Sequence, residues 1–252
     1  MKLTSSRILA AIARDQHSLL TRADVLHVTG RPSDYDALVR GGFWREILPG
    51  VLAPAGCATT VPLMEAAAML WDPHCLLSHH SAARRDGFWV PDSAVAHITV
   101  PWGSALRSTE HLLVTRTRVR DLLILRQGLF RWTAGARTVA DLASLLERRP
   151  LESVLLSAIR NKRATAASVA QAAAPLVRRK GTRELLALTQ LWTPERESLL
   201  EDGLHADVRA VVAEEVTRQH VVRNAQGFPV ARLDVAIEEL LLGFEADGLH
   251  FH

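Results

Sequence analysis

The sequence predicts a mixed chain of the α+β class in three parts, and three observations lead there. Residues 1–56 run through three helical patterns into two short apolar segments. Residues 57–194 mix strand and helix patterns, and residues 195–252 hold one helical pattern followed by three strand patterns. Charge segregates with them: residues 1–56, 57–195 and 196–252 carry +2, +7 and −6, although the whole chain is only +3. A polyanion favours the first two stretches and avoids the third unless cations intervene. The boundaries fall at the Pro/Gly-bearing stretch from Pro49 to Pro62 and at Thr193-Pro194.

With 252 residues, 48% of them hydrophobic, the chain can bury one large core or two or three smaller ones. Only Lys2, Lys162 and Lys180 among its 30 basic residues are lysines. The arginine bias reflects either genomic composition or a use for planar guanidinium groups that match phosphate. No apolar run approaches the roughly 18 to 20 residues of a membrane-spanning helix, and the first residues lack the pattern of a secretory signal. Cys57 and Cys75 have no partners at metal or redox spacing. The expectation is a cytoplasmic protein with no membrane segment and no structural disulfide.

In the first part, Ser5 or Ser6 can cap a helix carrying Ile8, Leu9 and Ile12. Thr21, with Asp24 three residues on, opens a second helix as a loose capping box, and Gly30 is placed to end it. A third helix after Arg31-Pro32-Ser33 turns Tyr35, Leu38 and Val39 inward and stops at Gly41-Gly42. Phe43 to Leu48 and Val51 to Ala53, joined by Pro49-Gly50, read as a hairpin. Three helices and a hairpin are the layout of a winged helix-turn-helix, which binds duplex DNA by placing its third helix in the major groove. Arg31, Ser33, Tyr35 and Arg40 are the candidate base or backbone contacts, and Arg45 on the wing is a candidate phosphate contact. Asp34 and Asp36 on the same helix oppose phosphate, so a winged helix used for protein contact stays open.

In the middle part, His74, Cys75, His79 and His80 crowd together, but no second pair of ligands at zinc spacing follows. The alternative is a short buried strand at Cys75-Leu76-Leu77, with Ser78 capping the next helix. Val95 to Val100 and Leu112 to Thr117 read as strands, and Arg137 to Leu146 as a helix. Arg116, Arg118 and Arg120 fall on one strand face, with Arg126 and Arg131 following. They are either a phosphate-contacting surface or a solvated strand face.

In the last part a helix from Arg196 to about Glu215 precedes strands Thr217 to Arg223, Val230 to Ile237 and Leu241 to Asp247. If the last two pair through the turn at 238–240, Asp234 lies across from Glu245 on one sheet face, with Asp247 on that face too. Like charges facing each other are destabilising, and a divalent cation with a preference for hard oxygen ligands, such as Mg²⁺, would relieve them. An ordinary acidic solvated face is the other reading.

Two resemblances add to this. The run from Arg22 to Gly56 (RADVLHVTGRPSDYDALVRGGFWREILPGVLAPAG) ends in the strand Gly50-Val51-Leu52-Ala53. Leu77-Ser78-His79-His80-Ser81-Ala82-Ala83 and Arg137-Thr138-Val139-Ala140-Asp141-Leu142-Ala143 follow in order. Together, over residues 7 to about 145, these elements resemble AbiEi-family antitoxins of type IV toxin–antitoxin systems. The resemblance implies a DNA-binding transcriptional regulator, with double-stranded DNA and a nucleotidyltransferase-like toxin or its operon as partners.

Ser198-Leu199-Leu200-Glu201, Arg232-Leu233-Asp234 and Phe244-Glu245-Ala246-Asp247-Gly248 through His252 resemble the Vsr-like branch of the PD-(D/E)XK nuclease superfamily. That implies a partial restriction-endonuclease-like domain with Glu201, Asp234, Glu245 and Asp247 as catalytic positions. Asp234 and Glu245 would hold Mg²⁺, and His250 or His252 would transfer protons. Asp247 stands where the superfamily has a lysine, and relatives continue past the position of His252 with a basic helix and a final strand. The expectation is therefore a regulator whose nuclease-like domain is shortened and weak or inactive. The alternatives are a Mg²⁺-dependent DNA endonuclease targeted by its winged helix, and a protein-interaction module that keeps the fold.

Overall fold

The computed structural model describes residues 3–118, 123–192, 194–223 and 227–245, with backbone alone at residues 3, 194–202 and 232. The chain is mixed α and β and separates into two compact units, Met1–Leu185 and Leu186–His252.

In the first unit α1 (Leu3–Asp15) leads into the two-residue strand β1 (Leu20–Thr21), followed by α2 (Arg22–Thr29) and α3 (Ser33–Arg40). The cap expected at Thr21 forms in both directions. The Thr21 hydroxyl accepts from the Asp24 N–H at 3.1 Å, and the Asp24 carboxylate accepts the Thr21 N–H at 2.8 Å. Gly30 ends α2 at φ +71°, the left-handed conformation that glycine adopts without steric cost. Strands β2 (Trp44–Leu48) and β3 (Val51–Pro54) form the hairpin, and β1 pairs with β3 to give the order β1-β3-β2. Helix, strand, helix, helix and hairpin is the winged-helix topology.

The inner strand of the hairpin, β3, is buried on both faces. Leu20 and Leu52 pack with Leu9, Val25 and Tyr35 in the core of the three helices. Leu19, Leu48, Val51 and Ala53 belong to a different core, shared with Met64, Ala67 and Ala68 of α4 (Val61–Trp71). Side chains alternate across a strand, so Val51, Leu52 and Ala53 insert in turn into one core, the other and the first again. The hairpin just before residue 56 thus contributes to both cores, one on each side of that boundary.

After α4 come β4 (Leu76–Leu77), α5 (His79–Asp86), β5 (Ala96–Pro101), β6 (Leu112–Thr117), β7 (Ile124–Gln127) and β8 (Phe130–Thr133). The five strands form one sheet in the order β6-β5-β4-β8-β7. The β5–β6 and β4–β8 pairs are parallel, and the β4–β5 and β7–β8 pairs antiparallel. The expected strands at 95–100 and 112–117 are β5 and β6, and the helix expected from Arg137 is α6 (Gly135–Leu142). Helices α7 (Arg148–Arg160), α8 (Ala166–Ala173) and α9 (Thr182–Leu191) follow.

The second unit holds α10 (Pro194–Val211) and strands β9 (Thr217–Arg223), β10 (Pro229–Ile237) and β11 (Leu242–Phe244), in the antiparallel order β11-β10-β9. Val235 and Ile237 of β10 pack with Val208 of α10. No helix among the described residues is long and apolar enough to cross a membrane.

Because Leu48 lies in the shared core at 2% exposure, Leu48→Ala is expected to cost about 2–5 kcal/mol. Tryptophan fluorescence and limited proteolysis should report residues 1–56 and 57–185 unfolding together in that variant. Loss of the winged helix alone, with the five-stranded sheet intact, contradicts the common core.

Candidate functional site

Helix α3 spans eight residues and presents two stripes. Asp34, Tyr35 and Leu38 turn toward the protein, and Ser33, Asp36, Ala37 and Arg40 lie exposed at helical spacing on the outside. Val39, expected inside, is exposed. Tyr35 does not reach solvent: it is 2% exposed and its hydroxyl donates to Glu46 Oε1 at 2.6 Å. The same Glu46 oxygen accepts the Gly50 N–H at 2.7 Å, which ties α3 to the hairpin turn. Burial, and then the Glu46 carboxylate, push the Tyr35 hydroxyl well above its ordinary range, so it stays protonated. Tyr35 is a packing residue of this helix rather than a base-reading one.

Both aspartates of α3 are paired. Arg31 donates to Asp34 through Nε at 3.3 Å and Nη2 at 3.1 Å. Arg22 lies 3.6 Å from Asp36 and stacks 3.9 Å over the Tyr35 ring. These pairs offset the negative charge that opposes phosphate, but they occupy Arg31 in this structure. The Arg31 side chain is 63% exposed but that of Asp34 only 12%, so the pair is half-buried and holds Arg31 against the helix. Arg40 makes no hydrogen bond or ion pair among the described residues and extends from the outward stripe.

Arg45 is committed elsewhere. Its guanidinium donates to the Cys57 carbonyl at 2.8 Å and to Thr59 Oγ1 at 2.7 Å, fastening the hairpin to the following loop. Of the five expected contacts, Ser33 and Arg40 face out unencumbered by ion pairs, Arg31 faces out paired, Arg45 is tied back and Tyr35 is inside.

In the second unit Val235 pairs with Phe244 and Ala236 with Gly243, where β11 ends; carried one step further, that register would set Asp234 across from Glu245. Val235 and Ile237 point toward α10, so Asp234 lies on the other face of β10. The side chain of Glu201, and the whole of Asp247, His250 and His252, lie outside the described residues. Among the described residues, no three His, Cys, Asp or Glu side chains gather as a metal site. Mg²⁺ is commonly held by one or two carboxylates, with waters and substrate oxygens completing its octahedral shell.

The histidine-rich segment of the middle part forms a buried polar cluster. Ser78 occupies the N-cap position of α5 without capping it. Its Oγ lies 2.8 Å from His79 Nδ1 and accepts from the Thr99 hydroxyl at 2.9 Å. The His80 and His97 rings lie 4.6 Å apart. Burial, and then His80, lower both His79 and His97 to about 3, so both are neutral near pH 7. Burial pushes the Cys75 thiol up to about 12, away from the thiolate a metal needs. Ser78 and His79 are 0% and 2% exposed, which leaves no room for a substrate beside the pair.

No family model matches the chain, and no curated protein matches it either. Among solved structures, the crystal structure of the RV2827C protein from Mycobacterium tuberculosis is similar, at 20% identity and a TM-score of 0.52, over 89% of each chain. At that identity the likeness speaks to the fold alone.

Tyr35→Phe is expected to lose about 1.5–3 kcal/mol, the worth of a hydrogen bond to a charged acceptor, while Ser33→Ala shifts stability by less than about 0.5 kcal/mol. Urea denaturation of the two variants checks the difference. The histidines predict a pH dependence as well. Their folded pKa lies below the unfolded 6.5, so the unfolded chain takes up protons first. Their contribution is complete above pH 6.5 and is lost as pH falls toward 3. The urea midpoint should fall below pH 6.5, less steeply in His97→Gln; identical slopes for the two proteins between pH 6.5 and 5 contradict this.

Proposed function

We propose that this chain is a duplex-DNA-binding transcriptional regulator of the AbiEi antitoxin kind. The observation that carries the reading is the winged-helix topology of residues 3–54, with a solvent-facing stripe on α3 that bears Ser33 and Arg40. The internal pairing of Asp34 with Arg31 and of Asp36 with Arg22 supports it, since it reduces the acidic objection on that helix. So do the +2 and +7 charges of the first two stretches and the ordered AbiEi-like motifs from residue 7 to about 145. On this reading the protein acts in the cytoplasm, its partners are double-stranded DNA and a nucleotidyltransferase-like toxin, and its C-terminal nuclease-like unit is weak or inactive.

A gel-shift series across salt concentrations, with genomic duplex fragments, tests the binding. Affinity should fall as salt rises, and Arg40→Ala should weaken binding and reduce the salt slope by about 1. No shift at low salt, or a shift indifferent to salt, overturns the reading.

The β10–β11 register, which projects Asp234 across from Glu245, favours a second reading, a Mg²⁺-dependent DNA endonuclease. Plasmid nicking in Mg²⁺ or Mn²⁺ that disappears in Asp234→Ala would raise it above the first. Intact plasmid, or equal nicking by both proteins, leaves the regulator reading in place.

A further inference from the structure

A cleft of about 540 Å³ opens in the middle of the first unit, at the carboxyl ends of β5 and β6. Its shape follows from strand lengths. β4 begins at Leu76, opposite Thr99, so among the described residues Val100 and Pro101 of β5 extend past it with no strand partner on that side. The gap lies between them and the β7–β8 hairpin. Pockets in sheets with parallel strands commonly lie outside carboxyl strand ends, and this volume suits a ligand of nucleotide size.

The lining is basic and aromatic. Pro101 and Thr117 are register partners, so the residues that follow them, Trp102 and Arg118, emerge side by side. The Arg118 guanidinium stacks 4.2 Å over the indole, which is 59% exposed. An indole–guanidinium layer offers a flat surface to a planar ring. Across the cleft, Arg126 of β7 pairs directly with Arg131 of β8. Like charges facing each other on a sheet are destabilising, yet no acidic side chain lines the cleft among the described residues. Arg131 is held by the carbonyls of Met69, Asp72 and Cys75 at 3.2–3.3 Å, around the end of α4. Arg126 is exposed and makes no hydrogen bond or ion pair among the described residues.

We propose that this cleft binds a nucleoside phosphate, the base stacking on the Trp102–Arg118 layer and the phosphate bridging Arg126 and Arg131. The phosphate supplies the anion that the facing arginines lack, and the stacked layer gives the site its preference for a base over inorganic phosphate. The site is separate from α3 and does not rest on the DNA-binding reading.

Isothermal titration of the full chain with AMP and GMP, beside adenosine, guanosine and inorganic phosphate, tests it. Saturable binding of a nucleotide is expected, at least about tenfold tighter than its nucleoside or phosphate alone. Arg126→Ala and Trp102→Ala should each weaken it by about tenfold or more, with circular dichroism unchanged because both side chains are exposed. Arg40→Ala should leave it intact. The proposal is overturned by no saturable nucleotide binding up to about 5 mM, or by binding that survives both substitutions. Binding lost in Arg40→Ala but not in Arg126→Ala assigns the nucleotide to the winged helix and likewise overturns it.

Discussion

The strand Val51–Pro54 belongs to two cores at once, and much of the first unit depends on it. Leu52 closes the core of the three helices, while Val51 and Ala53 close the one that α4 and the five-stranded sheet share. A strand packed on both faces has no register freedom, since a slip by one residue would exchange the two sets of side chains. The hairpin is therefore a fixed wall between the winged helix and the sheet rather than a wing free to move. Through Glu46, which takes both the Tyr35 hydroxyl and the Gly50 N–H, that wall also fixes α3.

Under the proposed reading, this constraint decides which surface would be open to DNA. The hairpin face turned toward α4 is occupied, and Arg45 is spent on the loop at residues 57–59. What remains outward is the stripe of α3, where two aspartates are neutralised within the fold and Arg40 carries the unpaired charge. Basic side chains elsewhere in the unit play structural parts too. Arg116 donates to the Leu106 carbonyl at 2.7 Å, and Arg137 pairs with the buried Asp141 at 3.0 Å. The arginine-rich composition is thus partly a building material, planar donors that satisfy carbonyls and carboxylates inside the protein.

The sequence made local features readable. Thr21 with Asp24, Gly30 and the break at Pro49-Gly50 act within a few residues, and the helices and hairpin follow from them. The carboxyl-terminal strands were readable as well, because the alternation around Asp234 and the tight turn at Glu238–Leu240 set the register. Features that depend on distant partners were not. β1 exists only because Leu20 and Thr21 meet Leu52 and Val51, and two residues carry no periodicity. Tyr35 read both as a core residue and as a DNA contact, and only the position of Glu46, eleven residues on, decides between them. Ser78 looked like a cap because its partner Thr99 lies twenty-one residues away. The β7–β8 hairpin, and with it the facing pair Arg126 and Arg131, gave no signal beyond a scatter of basic residues.

Amide hydrogen exchange of the full chain, alone and with a saturating DNA duplex at low salt, tests the role of α3 most directly. Contact through the outward stripe slows exchange across Ser33–Arg40 and the start of α2, where Arg22 sits, and leaves β3 unchanged because it is already buried. Slowing confined to the five-stranded sheet or to residues 186–252, with α3 exchanging as in the free protein, would contradict a winged helix that reads DNA.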